Sequence, residues 1–196
     1  AVPVARLPYN EPIWIKRALD AGARGLIVPM VNSRTEAEDA MRQAKYPPRG
    51  VRGYGYSRAN LHGIDFRDYI GEANGEVAMI MQIEHREGIA EIDSILEVEG
   101  VDAAFIGPLD LSGSFGKTGQ LDCPEMVEAL ARFRASCAAH HVASGMHLVH
   151  PTPENIDRTL EDGYTMIALG LDNTLLTSAA SAALQAGRHA ASAIVP

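Results

Sequence analysis

The amino-acid sequence predicts an α/β fold with a parallel sheet, and among such folds it favours a (β/α)8 TIM barrel. Short runs of β-branched and other apolar residues alternate with amphipathic stretches, which is typical of repeated βα units. Several of these runs are continuously apolar, as expected for strands that are covered on both faces. An open dinucleotide-binding sheet is disfavoured because LPYNEP, after the first predicted strand, lacks a G-x-G-x-x-G motif.

Six strands alternate with helices along the chain. The predicted strands span residues 2–7, 25–30, 77–84, 101–107, 142–148 and 165–172. Helices are predicted after Asn10, where Pro12 suits a first turn, and over 33–46, 65–76, 86–98, 124–141, 152–163 and 174–196. Residues 47–64 contain four Gly and three Arg, and their apolar residues follow neither the helical nor the strand period. This segment is therefore predicted to be a loop. Arg52 and Arg58 in this loop suggest a lid over the site, with a solvated loop as the alternative.

Length and composition limit the class of protein. With 196 residues and 46% apolar content, the chain is expected to form a single barrel domain over 1–196. A net charge of −8 with scattered Lys and Arg disfavours nucleic acid and favours a small-molecule partner. No apolar run approaches a membrane span and no signal peptide is visible, so we expect no membrane association and a cytoplasmic location. The spacing of Cys123 and Cys137 predicts no disulfide.

Two neighbouring strands each end at an acid, Glu84 after VAMIMQI and Asp110 after VDAAFIGPL. Adjacent parallel strands lie about 4.8 Å apart, so their terminal carboxylates can converge on one hard cation. An oxygen-only ligand set favours Mg²⁺ or Mn²⁺ and leaves Co²⁺ open. The alternative interpretation is that the two acids cap helices that begin near Arg86 and at Leu111.

The turn that precedes Asp110 contains Gly107 and Pro108. A Gly-Pro turn allows a close backbone approach to a ligand, and the amides of Leu109 and Asp110 would then be donors for an anion. Turn formation alone explains the same pair of residues.

Arg6 ends the first predicted strand, where its planar guanidinium suits a 2-oxo acid carboxylate or a developing enolate. An ion pair with a neighbouring strand is the alternative. Gln82 shares the face of Glu84 by strand alternation, so it lies beneath the metal site or is a polar core residue with its hydrogen bonds satisfied. His85, His147 and His150 lie near predicted strand ends and are candidate acids or bases, His147 first among them.

The sequence resembles the HpcH/HpaI aldolases, the metal-dependent class II aldolases of 2-keto-3-deoxy acids. The resemblance runs through nearly all of residues 1–196 and is strongest in these blocks: ARLPYNEPIWIKRALDAGARGLIVPMV, YPPRGVRG, QIEHREG, VEGVDAAFIGPLDLS and ALGLDNTLL. The ordered combination of Q-I-E and G-P-x-D-L-S is specific, whereas either block alone is weak.

The resemblance implies a reversible retro-aldol cleavage of a 2-keto-3-deoxy or 4-hydroxy-2-oxo acid to pyruvate and an aldehyde. Glu84 and Asp110 would be the metal ligands, and the ion would chelate the 2-oxo acid and stabilise the enolate as a Lewis acid. Arg6 would stabilise the same enolate, Gln82 would support the site, and the amides of Leu109 and Asp110 would hold the pyruvate carboxylate. The resemblance also implies a homo-oligomer, a hexamer or trimer of dimers that exchanges helix 174–196.

One departure from the family pattern concerns the start of the chain. The family places a catalytic His, and an Asp near it, on the strand before the one that carries the matching Arg, and here the sequence begins at that Arg strand. We therefore expect an N-terminally incomplete barrel that lacks its first two βα units. Two alternatives remain: a CoA-thioester lyase of the citrate lyase β type, for which no basic nucleotide groove is visible, and a non-catalytic barrel fragment.

Overall fold

The computed structural model describes residues 1–192, with side-chain burial described up to residue 189. The strands are β1 (Val4–Arg6), β2 (Gly25–Val28), β3 (Ala78–Ile83), β4 (Ala103–Ile106), β5 (Ala143–Leu148) and β6 (Met166–Leu169). The helices are α1 (Pro12–Asp20), α2 (Arg34–Ala44), α3 (Phe66–Glu76), α4 (Arg86–Ala90), α5 (Ile92–Leu96), α6 (Pro108–Ser114), α7 (Pro124–Ala139), α8 (Pro153–Glu161) and α9 (Asp172–Ser192).

All six predicted strands form, each shorter than the apolar run that predicted it. The helix predicted over 86–98 is instead two short helices, because Glu91 leaves helical geometry at φ −97° and ψ 11°. The C-terminal helix starts at Asp172 rather than 174, and residues 193–196 of the prediction lie outside the described residues. A 3-10 helix, Arg58–Gly63, interrupts the predicted loop.

Every strand pair with a described register is parallel. β1 pairs with β2, β2 with β3, β3 with β4, and β4 with the first half of β5. The strand order follows the chain from β1 to β6. This sequential order is that of a barrel wall, whereas a doubly wound sheet reverses direction at a switch point. The parallel α/β fold is confirmed, while closure into eight strands and further N-terminal βα units remain predictions.

The chain divides into two compact units, residues 1–145 and 146–196. In the first, the sheet and its helices bury large apolar side chains, which include Ile15, Leu19, Leu26, Met79, Ile83, Ile92, Ile106 and Leu111. In the second, the amide of Gly170 beyond β6 donates to the carbonyl of Leu148 at the end of β5 (2.8 Å). Thr152 caps α8 by accepting a hydrogen bond from the amide of Asn155.

The loop over 47–64 packs against the rest of the first unit, and the lid hypothesis for Arg52 is wrong. The Arg52 side chain is buried, and its Nη2 donates to Asp20 Oδ1 (2.9 Å) and to the Tyr69 hydroxyl (3.2 Å). Its guanidinium carbon lies 4.5 Å from the ring centre of Tyr46. A buried, paired guanidinium of this kind anchors the loop, since release would expose Asp20 and two aromatic rings. Arg58, by contrast, is exposed.

Two further expectations concern the chain as a whole. Within residues 1–192, no helix combines the length and apolar character that crossing a membrane requires. Cys123 and Cys137 are both free thiols, as predicted. Burial raises the pKa of the Cys137 thiol to about 12, so this cysteine is a core residue rather than a reactive one.

Candidate active site

Glu84 lies immediately after β3, at the carboxyl end of a strand in which every residue except Ala78 is buried. Only 2% of the residue is exposed. Its Oε1 accepts a hydrogen bond from the backbone amide of Met30 (3.0 Å), and its Oε2 accepts one from Gln82 Nε2 (2.7 Å). Both carboxylate oxygens are therefore held by neighbours from β3 and from the segment that follows β2.

Arg6, the last residue of β1, belongs to the same cluster. Its Nε donates to Gln82 Oε1 (3.2 Å), and its Nη2 lies 3.8 Å from Glu84 Oε1. Gln82 thus bridges the guanidinium and the carboxylate with its two ends, which fixes the orientation of its amide. The ion pair considered as the alternative for Arg6 is present, yet the Arg6 side chain remains 52% exposed and available to a ligand.

The cost of burying the Glu84 charge is only partly offset by its neighbours. Burial raises the pKa of the Glu84 carboxyl, and the amide of Met30 and the charge of Arg6 oppose that rise. The charge of Asp110 raises the same pKa further. Asp110 is therefore close enough for the two carboxylates to repel each other, and a cation between them would relieve both the repulsion and the desolvation.

Gly107 follows β4 and makes close contact with Glu84. A Cβ at position 107 would lie 2.7 Å from Glu84 Cβ and 2.9 Å from Glu84 Oε2, which is closer than side-chain atoms approach. The absence of a side chain at Gly107 therefore leaves room for the carboxylate itself. The predicted close backbone approach is present here, with Glu84 as the neighbour that needs it.

Helix α6 begins at Pro108 with Gly107 as its N-cap, so Asp110 lies in the first turn and is exposed. The amide of Leu111 donates to the carbonyl of Gly107 (3.0 Å) and closes the first turn. Pro108 has no N–H, so the amides of Leu109 and Asp110 are the first-turn donors that the helix does not use. The capping alternatives for both acids are wrong, because Gly107 caps α6 and His85 caps α4.

The donor set fits a hard divalent cation. Glu84 and Asp110 offer carboxylate oxygens, which Mg²⁺ and Mn²⁺ prefer, and Gly107 leaves the space beside Glu84 Oε2 clear. Among residues 1–192, no group of three or more His, Cys, Asp and Glu is arranged to hold a metal ion. A two-carboxylate site would leave its other coordination positions to water and substrate.

The three candidate histidines differ in their surroundings. His85 is the N-cap of α4, and its Nδ1 accepts a hydrogen bond from the amide of Glu87 (3.3 Å). In the second unit, His147 Nε2 lies 3.0 Å from the carbonyl oxygen of Gly170 and must donate to it. The side chain of His150 is exposed.

Met30 is the site residue that the sequence pattern did not predict. It has a positive φ of 53°, and its amide holds Glu84. Beside it opens a pocket of about 260 Å³, which is lined by Arg6, Pro8, Tyr9, Asn10, Pro29, Met30, Glu36 and Asp39. The signal in the sequence was Pro29, since proline cannot donate to a strand ladder and so marks its end.

Comparison with known proteins identifies the family. The sequence profile of the HpcH/HpaI aldolase/citrate lyase family matches residues 1–179. The chain belongs to this family. It is 37% identical over 180 residues to 5-keto-4-deoxy-D-glucarate aldolase of Escherichia coli O6:H1 (strain CFT073), a match that covers 91% of this chain and 69% of that relative.

Solved structures agree with this assignment. An HpcH/HpaI aldolase/citrate lyase family protein from Burkholderia cenocepacia J2315 superposes with a TM-score of 0.89 at 38% identity, over 95% of this chain and 73% of that one. An HpcH/HpaI aldolase from Desulfitobacterium hafniense DCB-2 gives 0.84 at 30% identity, over 95% and 72% of the two chains. The resemblance seen in the sequence and the prediction of a carbon–carbon lyase are thereby confirmed.

Proposed function

We propose that this family member is a divalent-metal-dependent aldolase that cleaves a 2-keto-3-deoxy or 4-hydroxy-2-oxo acid to pyruvate and an aldehyde. The observation that carries the proposal is the buried Glu84 carboxylate beside Asp110, with its space kept open by Gly107. The name of the 37% identical relatives makes 5-keto-4-deoxy-D-glucarate the first substrate to test.

Glu84 and Asp110 are the residues that would hold the ion, and their oxygen donors favour Mg²⁺ or Mn²⁺ and accept Co²⁺. A bound divalent ion supplies Lewis-acid stabilisation of negative charge on the substrate's 2-oxo oxygen. The ion would also offset the desolvation that raises the pKa of Glu84.

Arg6 is placed to bind the same end of the substrate. Its Nε is held by Gln82, so the guanidinium has a fixed plane while its half-exposed edge faces outward. A planar, permanently charged fork of this kind stabilises an oxyanion most when the negative charge develops fully, which is the enolate stage of the cleavage.

Leu109 and Asp110 contribute through their backbone. Their amides are the first-turn donors of α6 left free by the helix, and they lie next to the Asp110 carboxylate in the chain. We assign them to the carboxylate of the 2-oxo acid. The substrate would then be held by three groups: Arg6, these two amides, and the metal ion bound by Glu84 and Asp110.

Titration with Mn²⁺ tests the metal role directly. Glu84→Gln and Asp110→Asn should each weaken Mn²⁺ binding by about 100-fold or more, because each removes one of two charged ligands. Glu99→Gln is the matched control, since Glu99 is an exposed acid paired with Arg49. Unchanged Mn²⁺ affinity in both site variants would rule out this site.

Pyruvate release separates the proposal from its alternatives. The purified protein with Mg²⁺ should release pyruvate from 5-keto-4-deoxy-D-glucarate, and Glu84→Gln should abolish the release. Cleavage of a CoA thioester without action on the free acid would instead favour the citrate lyase β type. Binding of pyruvate with no turnover on either compound would favour a non-catalytic scaffold.

Assembly is a separate part of the proposal. The side chains of Leu175, Leu176 and Leu184 on α9 are all more than half exposed, which is unusual for leucines of one helix. We assign this helix to contacts between copies of the chain in a homo-oligomer, a hexamer or trimer of dimers. Light scattering should show an oligomer that dissociates when residues 174–196 are removed, and a monomer in both cases would contradict the assignment.

A further inference from the structure

The segment after β2 contains a one-residue bulge at Met30. In the β2–β3 ladder Val28 lies opposite Met81, so a regular continuation would place Met30 opposite Ile83. The alternation of a parallel ladder would then direct the Met30 amide to the carbonyl of Gln82. Instead the amide of Val31 donates to Gln82 (3.2 Å), and the amide of Met30 donates to Glu84 Oε1 (3.0 Å).

Two features of the local sequence accompany this bulge. Pro29 has no N–H, so the ladder on the β1 side ends there without losing a hydrogen bond. Met30 then adopts the left-handed region at φ 53°, which L-residues other than Asn and Gly disfavour. Val31 is fully buried beyond it and anchors the chain on the far side. The strained residue is the one whose amide reaches Glu84.

We propose that Met30 is a positioning residue, whose left-handed bulge aims a backbone amide at Glu84 and so orients this carboxylate for its metal ion. Bulges redirect groups in this way next to active sites, and backbone strain is tolerated where the surroundings hold it in place. The inference rests on the proposed function, because it assigns the purpose of the bond to metal binding.

The geometry explains why one extra amide matters. Glu84 Oε2 is fixed by Gln82 Nε2 and Oε1 by the Met30 amide, so the carboxylate plane cannot rotate. Each oxygen keeps a further lone pair for a cation. Without the bulge Oε1 would lose the hydrogen bond from the Met30 amide, and the repulsion from Asp110 would favour other orientations of the side chain.

A side-chain role for Met30 is the competing explanation, since its side chain is 47% exposed and lines the neighbouring pocket. Three substitutions separate the two. Met30→Gly removes the side chain and favours the positive φ, Met30→Val removes the thioether but disfavours that φ, and Met30→Leu keeps the size. Backbone positioning predicts that Mn²⁺ affinity is kept in Met30→Gly and falls in Met30→Val, whereas a side-chain role predicts that it falls in both.

Mn²⁺ affinity by calorimetry is the readout, with thermal unfolding measured in parallel. Met30→Val should bind Mn²⁺ roughly tenfold more weakly, because the binding-competent backbone is less populated. Met30→Gly should bind as tightly as the parent or more tightly, and Met30→Leu should match the parent. The fall in kcat for Met30→Val should be restored in Met30→Gly.

Several outcomes would overturn the inference. Equal affinity of Met30→Val and parent would do so, provided Glu84→Gln still loses Mn²⁺, and the proposed function would then stand. Equal weakening in the Gly and Val variants would replace backbone positioning with a side-chain role. If the parent does not bind Mn²⁺, the metal assignment fails, and both the proposed function and this inference fail with it. The bond itself is tested separately by NMR, because the Met30 amide proton should move upfield in Glu84→Ala.

Discussion

Two charged side chains of the first unit are almost equally buried, Glu84 at 2% exposure and Arg52 at 3%, but their surroundings differ. Arg52 meets a full opposite charge, since Asp20 accepts from its Nη2 at 2.9 Å, and two tyrosine rings enclose the guanidinium. Glu84 accepts hydrogen bonds from the neutral donors Met30 and Gln82 at short range, while the cationic Arg6 lies 3.8 Å away and is half exposed.

The difference separates a charge that is compensated within the fold from one that we propose binds a ligand. The charge of Arg52 is compensated within the fold by Asp20 and by the aromatic faces that enclose the guanidinium, although Nε and Nη1 have no hydrogen-bond acceptor among the described residues. Glu84 is left undercompensated, and burial together with Asp110 keeps the pKa of its carboxyl raised. A buried charge with an unmet requirement for opposite charge is the stronger indication of a ligand site.

The largest effect expected from this comparison is on stability. Arg52→Met should lower the free energy of unfolding by about 3 kcal/mol, because it removes a buried partner of Asp20. Its Mn²⁺ affinity should equal that of the parent in the folded protein. Urea denaturation measures the first quantity and calorimetry the second. Arg58→Met, an exposed arginine of the same loop, is the control and should stay within about 0.5 kcal/mol of the parent.

Arg6→Lys should have the next largest effect, on turnover rather than on stability. A lysine ammonium carries its three donors on one nitrogen, so it cannot hold Gln82 and also present a planar pair of N–H groups to the substrate. We therefore expect kcat to fall by roughly 10- to 100-fold with a smaller change in KM. Steady-state kinetics of pyruvate release would show the split. A variant with the kcat of the parent would assign Arg6 to the ion pair with Glu84 alone.

Gly107→Ala should weaken the metal site more mildly. The new Cβ would meet Glu84 Oε2 at 2.9 Å, so the carboxylate must move and Mn²⁺ affinity should fall about tenfold. Gly113→Ala on the same helix is the control, because its nearest neighbour, Thr118 Oγ1, is 3.5 Å away. Equal Mn²⁺ affinity in the two variants would show that the site tolerates a side chain at position 107.

The strand-end groups could be predicted from the sequence because their placement follows from local rules. Parallel strands bring their carboxyl ends to one edge, which relates Arg6 to Glu84, and strand alternation puts Gln82 on the face of Glu84. The structure joins these three by hydrogen bonds. The pattern alone suggested a cation at Glu84 and an oxyanion at Arg6 but left structural alternatives open for each, and the family resemblance favoured the chemical roles.

The other features depend on contacts between distant parts of the chain. The bulge at Met30 is defined by a hydrogen bond to Glu84, which is 54 residues away along the chain. No pattern in VPMV (28–31) predicts which backbone amide will point toward that carboxylate. Arg52 was predicted to be a lid residue because the apolar residues of the loop over 47–64 follow neither the helical nor the strand period. Its burial is set by Tyr46, Tyr69 and Asp20, whose convergence requires the folded sheet.

The smallest expected effect concerns Asp20, whose carboxylate pairs with a buried cation and with a more exposed one. Asp20 pairs with buried Arg52 through Oδ1 and with Lys16 through Oδ2 (2.7 Å), and the Lys16 side chain is 40% exposed. Lys16→Met should therefore cost only about 0.5 kcal/mol of unfolding free energy, and the cost should shrink in 1 M salt.

The double variant Lys16→Met with Arg52→Met decides whether the two pairs are independent. Because both cations share Asp20, losing them together leaves that carboxylate with no charged partner among those described, and the combined cost should exceed the sum of the single costs. Urea denaturation of the four proteins gives the coupling free energy. A Lys16→Met effect as large as that of Arg52→Met would mean that burial does not distinguish these two contacts, and the contrast drawn between Arg52 and Glu84 would lose its basis.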